Sequence, residues 1–328
     1  MFSNERYTDN SVGYNFCGNS GVKLPRISLG FWHNFGDDCN QQQAVEMMRF
    51  AFDHGITHFD LANNYGVPYG SAERNFGKII KSDFADYRDE LFISTKAGHE
   101  MWAGPYGNGG SRKSLLASID QSLRRMQLDY VDLFYSHRYD PETPLEETMD
   151  ALSTIVKQGK ALYVGLSKYP DDKLRQALLI LKRNGTPCLT AQYRYNIINR
   201  EIETDILPTV KQENIGMAVF SPLAQGVLSD KYINSIPQGS RITRSYANDV
   251  LRGLVNPQTA EKLIQLQTIA DRRGQSIAQM ALAWCLQRSE ITSVIVGASS
   301  VKQLSDNIKA LKNTEFSSHE LLSIEKIF

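Results

Sequence analysis

Four residues sit at the ends of short apolar runs and carry groups able to do acid–base chemistry. They are Asp60 in HFDLA, Tyr65 five residues on in ANNYG, Lys96 closing FISTK and His137 closing LFYSH. Lys96 is the most telling of them. An ammonium at the end of a buried strand must find a counter-charge or lose its proton, because an unpaired buried charge is expensive. Asp60 is the nearest residue able to supply that charge. An unperturbed tyrosine titrates at about 10, and a nearby ammonium favours the phenolate and draws that value toward the working range of a general acid. A neutral imidazole can donate to an oxygen on which charge develops. Taken singly, each residue has a plainer role: Tyr65 is one of 15 tyrosines, His137 one of six histidines, and Asp60 could cap a turn. Taken together they describe proton donation to a polarised oxygen, provided the fold brings them to one place.

The elements that must do so alternate along the chain. Eight short apolar runs cover 26–31, 58–63, 91–97, 132–138, 161–168, 189–196, 216–223 and 292–299. Helical patterns lie between them. QQQAVEMMRFAFDHG repeats apolar residues at i, i+3 and i+4 and stops at Gly55, a C-terminal signal. SRKSLLASIDQSLRRMQLD starts at Ser111 as N-cap and carries Leu115, Ile119, Leu123 and Met126 on one stripe. In the next helical pattern, Thr143 and Glu146 have capping-box spacing. Strand–helix alternation with short connections predicts a parallel sheet with right-handed crossovers. Eight units close naturally into an α/β TIM (β/α)8 barrel, expected over 26–311. An open doubly wound sheet is disfavoured because no GxGxxG joins the first strand to its helix. YNFCG and VKLPR, joined through Asn19-Ser20-Gly21, read as a β-hairpin over 14–25 ahead of the barrel. A last helix is expected over 318–328, and the whole of 1–328 reads as one domain. Two connections are long, 98–111 and 224–256, and on a barrel long loops after strands build the C-terminal mouth.

In order, spacing and strand assignment, Asp60, Tyr65, Lys96 and His137 resemble the catalytic tetrad of the aldo-keto reductase superfamily. The segments ITHFDLANNYG, GSAERNFG, GKALYVGLSKY, FSPLAQGVLSDKY and VIVGASSVKQL are similar to that family over nearly the whole chain. HFDLANNYG and the loop MWAGPYGNGGSRKSLLASIDQSL resemble the bacterial L-glyceraldehyde 3-phosphate reductase branch, with the potassium-channel β-subunit branch as neighbour. The resemblance implies NADPH-dependent reduction of small aldehydes or ketones, with Tyr65 as general acid, Lys96 and Asp60 tuning it, and His137 placing the carbonyl oxygen. It leaves a second reading, a cofactor-binding regulatory or redox-sensing subunit; the channel branch has Asn at the histidine position, so His137 favours the enzyme.

By the same resemblance, Phe31, Trp32 and Asp60 lie near the nicotinamide. Ser167 and Gln192 hydrogen-bond its carboxamide, and Phe220 stacks on its ring. Ser221, Leu223, Gln225 and Gly226 run beneath the pyrophosphate, with Lys231 and Arg241 neutralising it. Gly297, Ser299, Gln303 and Asn307 form the adenosine-phosphate site, and Ser299, Lys302 and Gln303 favour NADP over NAD. Trp32, Tyr65, Trp102 and His137 are the expected substrate contacts. A phosphate-bearing substrate could be drawn to Ser111, Arg112 and Lys113 at their helix start.

Composition excludes other classes. Lys+Arg and Asp+Glu balance at 36 each, which leaves no electrostatic footprint for nucleic acid or an anionic membrane. No apolar run approaches the roughly 18 residues of a membrane span. Cys17, Cys39, Cys188 and Cys285 are scattered without zinc-site spacing, so no metal is expected, and they read as reduced thiols of a cytoplasmic protein. A homo-oligomer, tetramer or octamer, is expected from the resemblance.

Overall fold

The computed structural model describes residues 2–8, 12–232, 242 and 249–328. The hairpin forms from β1 (Tyr14–Phe16) and β2 (Lys23–Pro25), paired antiparallel. Each of the eight apolar runs then supplies one strand. These are β3 (Ile27–Gly30), β4 (His58–Asp60), β5 (Phe92–Ala97), β6 (Val131–Ser136), β7 (Ala161–Ser167), β8 (Cys188–Arg194), β9 (Gly216–Phe220) and β10 (Ser293–Val296). Neighbours pair in parallel, and β10 pairs with both β9 and β3, so the sheet closes into a TIM (β/α)8 barrel. Both faces of such strands are covered, which is why they read as continuous apolar runs rather than alternating ones. The hairpin places Cys17 and Leu24 against Leu133, Tyr135 and Leu189 of the barrel interior. Gly18 abuts the backbone of Asn214, just before β9, so the hairpin sits at the N-terminal end of the strands.

The helices form where the sequence pattern puts them. Helix Arg112–Met126 is capped by the Ser111 hydroxyl, which accepts from the Ser114 N–H, and buries Leu115, Ile119, Leu123 and Met126. The Thr143–Glu146 capping box does not form. Helix Leu145–Lys157 starts after Pro144, and the Thr143 hydroxyl donates instead to Asp140 Oδ2 at 2.7 Å. Helix Ser318–Glu325 closes the chain's last segment. Among the described residues, no helix is long and apolar enough to cross a membrane, and no cluster of His, Cys, Asp or Glu is arranged to hold a metal.

The barrel interior is partly polar. The Ser293 hydroxyl donates to Pro25 O at 2.7 Å and lies 2.6 Å from Ser28 Oγ. Ser28 Oγ lies 2.8 Å from His58 Nδ1, and His58 Nε2 lies 2.9 Å from Ser94 Oγ, which donates to Asp60 Oδ1 at 2.8 Å. All these groups are buried, as polar groups in a core must be if they are paired. The chain runs from the floor of the barrel to its Asp60 end.

Two outcomes follow from this architecture. Burial lowers the His58 imidazolium to about 4, against roughly 6.5 when unfolded. The unfolded chain therefore binds more protons between those values, and His58 contributes stability that is complete above about 6.5 and lost as pH falls toward 4, roughly 3 kcal/mol in all. Denaturant melts of His58→Gln across this range should show a shallower pH slope than wild type; identical slopes would remove His58 as the source. Gly77, in helix Ser71–Asp83, lies where an added Cβ would come within 2.5 Å of Met126 O. Alanine improves helix propensity by roughly 1 kcal/mol, but overpacking against backbone costs about 1–3 kcal/mol. Gly77→Ala should lower the urea midpoint, and a raised midpoint would show that the two helices can part freely.

Candidate active site

The C-terminal ends of β4, β5 and β6 carry three of the four candidate residues to one place. Asp60 is the last residue of β4 and pairs in register with Ser94 of β5. Lys96 pairs with Tyr135 of β6, two residues before His137. Tyr65 follows on the loop after β4, held by the Tyr65 N–H to Ala62 O and by the Tyr65 carbonyl accepting from the Gly70 and Ala72 N–H groups.

Lys96 is fully buried. Its ammonium donates to Asp60 Oδ2 at 2.6 Å and to Leu61 O at 2.7 Å. It stands 5.1 Å from the centre of the Tyr65 ring. Asp60 Oδ1 accepts from Ser94 Oγ and, at 3.0 Å, from Gln192 Nε2. The carboxylate is thus hydrogen-bonded from three sides, the condition under which a buried charge persists. The His137 ring meets Tyr65 edge-on, with centres 5.9 Å apart, and His99 at 4.4 Å.

Electrostatics separate the roles these groups can take. Burial, reinforced by the charge of Asp60, pushes the Tyr65 phenol well above its usual value. The expectation that Lys96 draws this phenol down is not met: burial and the Asp60 charge both raise it. Burial lowers Lys96, with Asp60 opposing. Burial, then the charges of Lys96 and Lys168, hold His137 well below its usual value, so the ring is neutral. The arrangement therefore offers a proton-loaded phenol and a neutral imidazole beside a fixed ion pair. Those are the parts needed to donate a proton to an oxygen at the mouth.

A cavity of about 510 Å³ opens over this group. Asp60, Tyr65, His137, Gln192 and Trp32 lie on its wall. So do Phe220, Ser221, Leu223, Gln225, Gly226 and Lys231 on and after β9, and Gly297, Ser299 and Gln303 after β10. Four expected contacts lie elsewhere. Phe31 is buried in the core, stacked on Phe35 at 3.9 Å and edge-on to Phe59 and Phe76, because alternation along the chain turns it away from the mouth where Trp32 faces it. The Ser167 hydroxyl is spent on Gln192 O at 2.9 Å. Asn307 is buried behind the wall, its Nδ2 unpartnered among the described residues. Trp102 is exposed and off the wall, since loop 98–111 folds on itself through Met101 N–H to Gly107 O. The helix start proposed for phosphate is also occupied: Arg112 Nη1 donates to Thr154, and Lys113 covers the Tyr106 ring. Arg241 lies outside the described residues.

The wall also holds residues the sequence reading did not assign, among them Asn34, Asn64, His99, Lys168 and Arg194. One signal was present for Arg194. It stands two residues after Gln192 on β8, and residues two apart on a strand share a face. No comparable pattern marks Asn34, whose Nδ2 donates to Ala298 O from a loop.

The residues present fit a dinucleotide. A ring-bearing wall at Phe220 leads from Tyr65 past polar groups and Lys231 to Gly297, where an added Cβ would meet open space and backbone can be approached closely. Asn64 Oδ1, on the same wall, is buried without a partner among the described residues and so can accept from a bound group.

Comparison with known proteins agrees with this architecture. Residues 26–328 match the Aldo/keto reductase family. The chain is 51% identical over 327 residues to L-glyceraldehyde 3-phosphate reductase of Escherichia coli (strain K12), covering 98% of this chain and 93% of the relative. It is 36% identical over 304 residues to a probable voltage-gated potassium channel subunit beta of Arabidopsis thaliana, covering 91% and 90%. With a family match across the entire barrel and similarity of this depth over nearly its full length, the chain belongs to the aldo/keto reductase family.

Proposed function

We propose that the protein is an NADPH-dependent reductase of small aldehydes and ketones, L-glyceraldehyde 3-phosphate and methylglyoxal-like dicarbonyls among them. The observation that carries this reading is the buried Lys96–Asp60 pair, 2.6 Å apart, set against Tyr65 on the wall of a cavity large enough for a small carbonyl compound. Similarity to the Escherichia coli reductase supports the substrate class.

Bound in the cavity, the nicotinamide cofactor supplies the hydride. Tyr65 supplies the proton. Its phenol stays protonated through the neutral range, so it is loaded to donate as charge grows on the carbonyl oxygen. That growing charge favours proton transfer, and the Lys96 ammonium stabilises the phenolate left behind. Asp60 keeps Lys96 charged and aimed, and Ser94 and Gln192 hold Asp60. His137, neutral, places the carbonyl oxygen. Phe220, Ser221, Leu223, Gln225, Gly226 and Lys231 would hold the nicotinamide and pyrophosphate portions, and Gln192 retains its amide oxygen for the carboxamide. Ser299 and Gln303 would hold the adenosine phosphate. Gln303 Oε1 already accepts from the Ser299 N–H and hydroxyl, a linked pair at the start of helix Val301–Ile308.

Tyr65→Phe should keep NADPH binding, read by fluorescence, and lose about 10²–10⁴-fold in aldehyde reduction, the usual worth of a positioned proton donor. Near wild-type turnover would remove Tyr65 as the acid. NADPH should exceed NADH in kcat/KM by roughly tenfold or more, as one charged contact to the extra phosphate would give; equal values would overturn the cofactor assignment. Similarity to potassium-channel β subunits favours a second reading, a regulatory cofactor-binding protein. NADPH binding without consumption across a panel of aldehydes would select it.

A further inference from the structure

Four basic side chains border the cavity on adjacent staves of the barrel. His99 follows β5, His137 follows β6, Lys168 follows β7 and Arg194 ends β8. In the ring order β6 lies across from β10, which Gly297, Ser299 and Gln303 follow; β5 and β7 flank β6, and β8 stands next to β9, with Arg194 in register with Phe220. The four side chains therefore follow the rim from the far side of the mouth round to Phe220.

Lys168 Nζ lies 3.0 Å from His99 Nε2 and 5.8 Å from the centre of the Phe220 ring. The contacts continue through His99 to His137 and Tyr65. Neither Lys168 nor Arg194 forms an ion pair with a carboxylate among the described residues, although both border the same cavity. Partial burial, then repulsion from Lys96, Arg194 and Arg138, lowers the Lys168 ammonium to about 8. Burial, then Lys168 and Arg138, holds His99 at about 4, so it is a neutral ring that accepts from Lys168 and has a second N–H to offer. Lys168 also adopts a left-handed backbone, φ 56°, a conformation that costs a non-glycine residue energy and that clusters at ligand-binding sites. Lys168 and Arg194 are both exposed at the mouth, where an anion can reach them.

We propose that Lys168, Arg194 and His99 seat the phosphate of a phosphorylated aldehyde whose carbonyl lies between Tyr65 and His137. This rests on the reductase reading above and adds to it the group that selects the substrate. Arg194 presents a planar fork of donors, Lys168 a point charge, and His99 a neutral donor, a set suited to a phosphate dianion. Lys168, Arg194 and His99 line the same cavity as Tyr65 and His137, so one bound molecule can reach both the seat and the proton donor.

Full-length wild type, Arg194→Ala, Arg194→Lys and Lys168→Gln are compared with NADPH on L-glyceraldehyde 3-phosphate and on glyceraldehyde. The readout is the ratio of the two kcat/KM values. Wild type should favour the phosphorylated aldehyde. Arg194→Ala and Lys168→Gln should each lower the ratio by about tenfold or more, as loss of a charged hydrogen bond to phosphate gives, chiefly through KM, and Arg194→Lys should recover part of it. An unchanged ratio, including both substrates falling in parallel, overturns the proposal. Calorimetric titration with glycerol 3-phosphate, which carries the phosphate but no carbonyl, reads the seat without turnover. Binding by wild type that weakens about tenfold in Arg194→Ala supports it. Equal binding, or none, overturns it. Failure of wild type to reduce either aldehyde while binding glycerol 3-phosphate would instead count against the reductase reading.

Discussion

An ammonium and a carboxylate, 2.6 Å apart and almost wholly removed from water, organise this molecule. Taking two such charges out of water costs several kcal/mol each, and removing one partner from such a pair is destabilising by about 3–5 kcal/mol. The pair persists because its surroundings complete it. Leu61 O takes a second Lys96 proton, and Ser94 and Gln192 donate to Asp60. The pair and its partners come from three strands, β4, β5 and β8, and from the loop after β4, so the site exists only in the closed barrel.

The polar chain beneath the pair extends this dependence to the barrel floor. Ser293, Ser28, His58 and Ser94 link residues far apart in sequence into one hydrogen-bonded column ending on Asp60. In a low dielectric each such bond is strengthened and each broken one is costly. The column therefore resists rotation of Asp60, and Asp60 resists displacement of Lys96. Rigidity of this kind is what a proton donor needs, since misplacement of about 1 Å can cost 10²-fold in rate.

The mouth above the pair is asymmetric. One side, built on β9 and β10, offers small, polar and open backbone positions along which an extended cofactor can lie. The other, built on β5 to β8, carries basic side chains around His99. Asp60 and Tyr65 line the same cavity.

Periodicity alone determined the architecture here. Eight apolar runs separated by amphipathic segments have few ways to bury themselves, and the runs became the eight strands with boundaries shifted by a residue or a few. The strand-end positions of Asp60, Lys96 and His137 were legible for the same reason, because a polar residue closing a buried strand stands out against its neighbours. Tertiary structure decided the direction in which individual side chains and protons point. Phe31 turned into the core beside its neighbour Trp32, the Ser167 hydroxyl was claimed by β8, and the Thr143 hydroxyl chose Asp140 over its helix. It also reversed the expected shift of Tyr65, since desolvation is set by how completely the surrounding elements exclude water. Pattern along a chain records which surface is buried; only packing in three dimensions decides which partner each buried polar atom meets.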